Sequence, residues 1–151
     1  MLLAAFGSFV LLAGAFAFQA LGYAPCKLCL WQRWPHAAAI AIGGLVLLLG
    51  PRLLLGIAGA LAALTTAGIG LYHSGVELGF WEGPTSCTGA GNSLGGLSGS
   101  DLLSTDAVSD IIMCDEVAWA FAGLSMASWN AVFSLLLAGL WIKALRTTDA
   151  G

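Results

Sequence analysis

Four long apolar runs, roughly 2–21, 30–49, 53–72 and 121–142, leave this chain one class of fold. Each is close to the ~20 residues that a helix needs to cross the hydrocarbon core of a bilayer. Of the 151 residues, 59% are hydrophobic and only 9% charged, a balance that a water-soluble domain of this length could not cover with polar surface. The expectation is an all-α integral membrane four-helix bundle, a single membrane domain over 1–151, with outer segments at 22–29 and 73–120. No convincing small-residue cleavage site follows the first run, so it reads as a retained helix and not as a signal peptide. The glycines at 14, 43, 44, 56, 59, 68 and 70 are expected to let helices approach closely.

Orientation follows from the cations. Arg52 sits in the short turn between the second and third runs, and Lys143 and Arg146 follow the fourth, whereas residues 73–120 contain no Lys or Arg. Positive short ends belong on the cytoplasmic side, so both termini are expected there and segment 73–120, with seven acids, outside. Lys27 and Arg33 fall on the outer side against this bias, which invites a functional explanation.

The chemistry-bearing residues gather on that outer face. Cys26-Lys27-Leu28-Cys29 lies where the first run ends and the second begins, and the remaining cysteines, Cys87 and Cys114, both lie in the acidic segment. Two sulfurs with only two residues between them close a small, readily exchanged ring, and the nearby Lys27 and Arg33 are expected to favour a thiolate. Cys87 and Cys114 are separated by a Gly/Ser-rich linker over 88–100 and by 101–113, where aliphatic and acidic residues at loosely helical spacing suggest a short helix on the membrane surface. Four cysteines allow three pairings, and the residues alone do not choose among them. No internal repeat is visible, and so acidic an outer face carries no nucleic-acid signal.

The second run is the most informative. Its uninterrupted apolar part, 37–49, is only 13 residues, so positions from about Leu30, including Arg33 and His36, must be drawn into the outer edge of the bilayer. Cys29, Arg33 and His36 follow i, i+4, i+7 spacing and would share one helix face. Pro35 argues for a regular helix starting nearer Trp31. The six tryptophans near run ends read as an interfacial belt, with those beside the C-x-x-C as candidate walls of a ring-binding site.

Cys26-Lys27-Leu28-Cys29-Leu30-Trp31-Gln32-Arg33 resembles the C-x-x-C-x-x-[EQ]-R motif of the bacterial disulfide bond formation protein B (DsbB) family. Gly83-Pro84-Thr85-Ser86-Cys87 and the stretch 121–129 are similar to its later signatures, and the resemblance covers essentially the whole chain. It implies a four-helix enzyme of the bacterial inner membrane that reoxidises a periplasmic thioredoxin-fold dithiol oxidase (DsbA-like) and passes two electrons to a membrane quinone, ubiquinone or menaquinone. It further implies that the partner's thiolate attacks Cys87 and releases Cys114, that Cys114 pairs with Cys26, and that Cys29 is thereby freed to engage the quinone. Arg33 matches the family's arginine and is expected to hold a quinone carbonyl. His73, at the outer end of the third run, is expected either to donate to a quinone carbonyl or to cap a helix end and face water, whereas His36 is expected to pack or hydrogen-bond locally.

Blander readings compete. Structural zinc prefers two closely spaced pairs, and the second pair here is widely split, so no metal is expected. Cysteines in an oxidising compartment can be inert staples, but that explains a C-x-x-C poorly. Arg33, without the family match, reads equally well as a cation snorkelling to the headgroups. A vitamin K epoxide reductase-like protein would share the core and the quinone chemistry, but there the loop cysteines precede the C-x-x-C. A non-catalytic membrane scaffold with structural cysteines would hold neither quinone nor turnover.

Overall fold

The computed structural model of the chain describes residues 1–84 and 113–148. Cys87, the Gly/Ser-rich stretch and all but Met113 of the expected surface helix lie outside the described residues. Four long helices dominate: α1 (Leu2–Ala20), α2 (Lys27–Leu49), α3 (Leu53–Glu77) and α4 (Met126–Thr148). A two-residue ladder, β1 (Ala120–Phe121) with β2 (Leu124–Ser125), precedes α4. The fold is an all-α membrane bundle. By length and composition α1, α3 and α4 can each cross a bilayer; α2 trades apolar residues for Gln32, Arg33 and His36.

Several helix boundaries differ from the sequence reading, among them the end of the fourth helix, at Thr148 and not 142. The second helix starts at Lys27, not near Trp31, because Cys26 acts as its N-cap, the sulfur accepting the Cys29 amide at 3.3 Å. Pro35 is accommodated inside it; it forgoes the amide that would have bonded the Trp31 carbonyl. The third helix runs beyond Tyr72 to Glu77, because Ser74, Gly75 and Val76 are buried and not solvated loop. Trp81 folds back on Gly75 and donates its indole N–H to the Tyr72 carbonyl at 2.8 Å, which anchors that extra turn. The fourth helix starts at Met126, not Phe121. Ala122 and Gly123 have φ of 52° and 80°, the two consecutive left-handed residues of a tight hairpin, and so break the apolar run before it can coil. Ser125 then caps the helix by accepting the Ser128 amide at 3.1 Å.

α3 is the central packing element, lying extensively on α4 and α2, while α1 touches α4 only sparingly. At the end remote from the C-x-x-C, Trp141 is completely buried within a cluster of Ala4, Ala5, Ala60, Ala63 and Leu137, and so is no part of an interfacial belt. A Cβ at Gly59 would lie 2.6 Å from three ring carbons of Trp141. Of the glycines expected to permit close packing, Gly43, Gly56, Gly59 and Gly70 do so, whereas Gly14, Gly44 and Gly68 have nothing within 4 Å of an added Cβ. Gly59→Ala should therefore destabilise the detergent-solubilised protein by about 1–3 kcal/mol, an overpacking cost. Gly14→Ala, with open space and better helix propensity, should be neutral or stabilising. Thermal unfolding of the two variants side by side measures the contrast.

Candidate active site

The cap that starts α2 also builds the site. Placing Cys26 at the N-cap and Cys29 in the first turn brings their sulfurs to 3.3 Å as a pair of thiols at the positive end of a helix dipole. Cys26 is 5% exposed, and its thiol is pushed up to about 12, first by its hydrogen bond to Cys29 and then by burial. Cys26 accordingly keeps its proton and donates it toward the Cys29 sulfur. Cys114 is fully buried in the same cluster with Cys26, Leu28 and Val76, against which Cys29 packs. A cysteine distant in sequence thus meets the C-x-x-C pair at one end of the bundle.

The added length of α3 supplies the polar partners. His73 is buried, 2% exposed, with Nε2 at 3.4 Å from the Cys26 sulfur and 3.8 Å from the Glu77 carboxylate. It does not face water. The Gln32 side-chain nitrogen donates to the Leu28 carbonyl at 3.3 Å and to His73 Nδ1 at 3.0 Å. With Nδ1 accepting, the neutral ring carries its hydrogen on Nε2, aimed at Cys26. Glu77 accepts a short hydrogen bond from Ser125, the residue that caps α4, so one serine ties the helix start to the acid beside His73. The Cys26 sulfur is thus held by the Cys29 thiol, the Cys29 amide and His73. Lys27, expected to favour a thiolate, sits over the Trp31 ring at 5.8 Å. Arg33 turns to α1, donating to Gln19 Oε1 at 2.7 Å and to the Ala15 carbonyl at 3.4 Å, over the face of Phe16.

Where α1 and α4 stand apart, a cavity of about 420 Å³ opens beside these thiols. Cys29, Arg33 and His36 all line it, as their spacing on one helix face requires, and His73 and Glu77 reach it from α3. Its remaining walls are largely apolar and aromatic, with Phe18, Trp119, Trp129 and Phe133 prominent. The aromatic walls thus come from α1, the segment before α4 and α4 itself, not from Trp31 and Trp34 beside the C-x-x-C; Trp34 is 77% exposed. Trp119 is held in place by Phe18, ring centroids 5.2 Å apart, and by stacking on Phe121. Arg33 Nε and His36 Nδ1 are both buried without a hydrogen-bond partner.

Sequence reading missed Gln32, Glu77 and Asn130. Asn130 is a polar residue inside an apolar run, a signal that by itself marks a candidate functional position in a membrane helix. Cys26, Cys29 and His73 place their ligand atoms within 4.8 Å of one another, a grouping capable of holding a metal. Metal binding there would displace the Nε2 hydrogen of His73 and the protons of both thiols.

Comparison with known proteins points to a single family. The sequence model of the family described as Disulfide bond formation protein DsbB matches residues 1–144. Disulfide bond formation protein B of Marinobacter nauticus is 35% identical over 144 residues, covering 90% of this chain and 85% of its own. The protein of the same name from Aromatoleum aromaticum is 33% identical over 166 residues, covering 96% and 92%. That from Xanthomonas oryzae is 31% identical over 126 residues, covering 80% and 73%. No solved structure matches the chain. A buried dithiol at a helix N-terminus, a third cysteine packed against it and a match over nearly the full length lead to one conclusion: this chain belongs to the disulfide bond formation protein B family, membrane oxidoreductases of disulfide bond formation.

Proposed function

We propose that the protein is a quinone-dependent thiol oxidase that regenerates the disulfide of a periplasmic thioredoxin-fold dithiol oxidase. The observation that carries this reading is the opening of the dithiol onto an apolar, aromatic-walled cavity lined also by Arg33 and His36, each with an unpartnered buried nitrogen. A flat ring with carbonyl oxygens fits that donor set, because its faces suit the aromatic walls and its oxygens suit the Arg33 guanidinium.

Oxidation of Cys26 and Cys29 to a disulfide releases two electrons and two protons, and a bound quinone supplies the sink for both. The chain's own residues prepare that chemistry. The Cys26 proton directed at the Cys29 sulfur favours negative charge on Cys29, which lines the cavity together with Arg33. Arg33, held by Gln19 and Phe16, provides a planar cation where negative charge would develop on a ring oxygen. His73 presents an N–H to the Cys26 sulfur, stabilising charge there when Cys26 is the leaving group. The packing of Cys114 against Cys26 supports an exchange between these two sulfurs, and the partner's thiolate would attack Cys87. Exchange among these sulfurs is reversible, and only the removal of two electrons gives it direction.

In this reading the protein lies in the bacterial inner membrane, with both termini cytoplasmic and the site periplasmic, as the distribution of Arg52, Lys143 and Arg146 against the acids of 73–120 suggests. A membrane-impermeant maleimide should label Cys87 in intact, reduced spheroplasts. Labelling only after the membrane is opened would reverse the orientation.

A further inference from the structure

We propose that His36 is a ligand-contacting residue of the cavity whose Nδ1 accepts a hydrogen bond from a ring hydroxyl, and that Asn130 is the positioning residue that keeps this nitrogen an acceptor. The inference rests on the quinone reading above, since a reduced quinone carries two phenolic hydroxyls where the oxidised ring carries carbonyls. His36 lines the cavity, is 3% exposed, and its Nδ1 has no partner in the protein. A buried polar nitrogen left unpaired is destabilising, so one retained at the wall of an apolar cavity points to a ligand atom that completes it.

The surrounding hydrogen bonds decide what kind of atom that is. The Thr66 hydroxyl gives its hydrogen to the Gln32 backbone carbonyl at 3.2 Å, which leaves its oxygen to accept. Asn130 Nδ2 donates to that oxygen at 3.3 Å and to Gln32 Oε1 at 2.6 Å. With its nitrogen doubly committed, Asn130 must present Oδ1 to His36 Nε2, 2.9 Å away. That ring nitrogen therefore carries the hydrogen, and in the neutral imidazole Nδ1 is left with a lone pair. A carbonyl oxygen offers such a lone pair nothing, whereas a phenolic O–H completes it. The same run of amides continues through Gln32 to His73, so Asn130 and Gln32 fix both histidines in the Nε2–H form, one facing the thiol and the other leaving an acceptor at the cavity.

The test uses the purified, fully reduced protein, which cannot oxidise a reduced ring, with a short-tailed 1,4-dihydroxybenzene and its dimethyl ether as probes. His36→Phe should weaken binding of the dihydroxy probe about tenfold relative to its effect on the ether. In wild type labelled with ¹⁵N-histidine, the His36 signals should show Nε2 protonated and Nδ1 bare, Nδ1 should shift on adding the dihydroxy probe, and Asn130→Leu should mix the tautomers. Unchanged dihydroxy affinity in His36→Phe, or a wild-type ring protonated on Nδ1, with Arg33→Ala still weakening binding, overturns the role of His36 and leaves the quinone reading standing. Failure of the dihydroxy probe to bind wild type, or binding indifferent to both Arg33→Ala and His36→Phe, overturns both. The wild-type spectrum decides the tautomer even if a variant does not fold.

Discussion

Replacing Cys114 by serine is expected to abolish turnover and to leave the partner oxidase trapped on the protein as a mixed disulfide. Replacing Cys87 by serine should abolish turnover with no trapped species. The asymmetry follows from position: Cys114 is completely buried against Cys26, out of reach of an incoming thiolate but well placed to attack or be attacked by its neighbour. On the proposed path each of the two sulfurs is required, so activity should fall to background and not merely decline. In Cys114→Ser, Cys87 is left as a free thiol that attacks the disulfide of the oxidised partner, expelling one partner thiolate and leaving a mixed disulfide that Cys114 is not there to resolve; non-reducing electrophoresis after mixing each variant with oxidised partner reads both outcomes. Capture of the partner by the Cys87→Ser variant through Cys114 would exchange the two roles.

The second large effect is expected at Arg33. Arg33→Ala removes a cation and a planar donor from the cavity that Cys29 also lines, and loss of one charge-assisted hydrogen bond costs about 1.5–3 kcal/mol. That corresponds to a loss of roughly ten- to a hundredfold in quinone reduction. Arg33→Lys keeps the charge but not the fork, nor the flat stacking over Phe16, and should fall between wild type and alanine. Disulfide exchange with the partner should survive in both, because the Cys26 sulfur is contacted by His73 and the Cys29 amide and not by Arg33. Steady-state quinone reduction at varied quinone concentration, run beside a separate exchange assay, separates the two. Unchanged quinone kinetics in Arg33→Ala would make Arg33 a snorkelling cation bound to α1.

The class of fold was legible because the bilayer imposes it: runs of about twenty apolar residues with so few charges have no other solution. Helix ends were not legible, because they depend on contacts between distant residues. Glu77 was read as part of an acidic outer loop; it joins α3 once Trp81 folds onto Gly75 and Ser125 reaches across to its carboxylate. Phe121 was read as the start of a helix, since apolarity alone cannot show that Ala122 and Gly123 adopt left-handed turn geometry.

The site divides in the same way. The shared face of Cys29, Arg33 and His36 could be read from spacing, because a helix fixes it locally. The placement of Cys114 against Cys26 could not, nor could the amide run from His36 through Asn130 and Gln32 to His73, which joins three helices. The cavity walls were anticipated from the wrong tryptophans for the same reason. Trp31 and Trp34 are near the C-x-x-C in sequence, but Trp119 and Trp129 are near it in space.

The central claim is that two electrons pass from thiols at Cys26 and Cys29 to a quinone beside Arg33. Anaerobic mixing of the purified oxidised protein with a reduced thioredoxin-fold partner and a quinone, followed by quinone absorbance, tests it directly. The account predicts loss of one quinone for each partner disulfide formed, dependent on Cys29. Partner oxidation without quinone loss, or quinone loss that persists in Cys29→Ser, would contradict it.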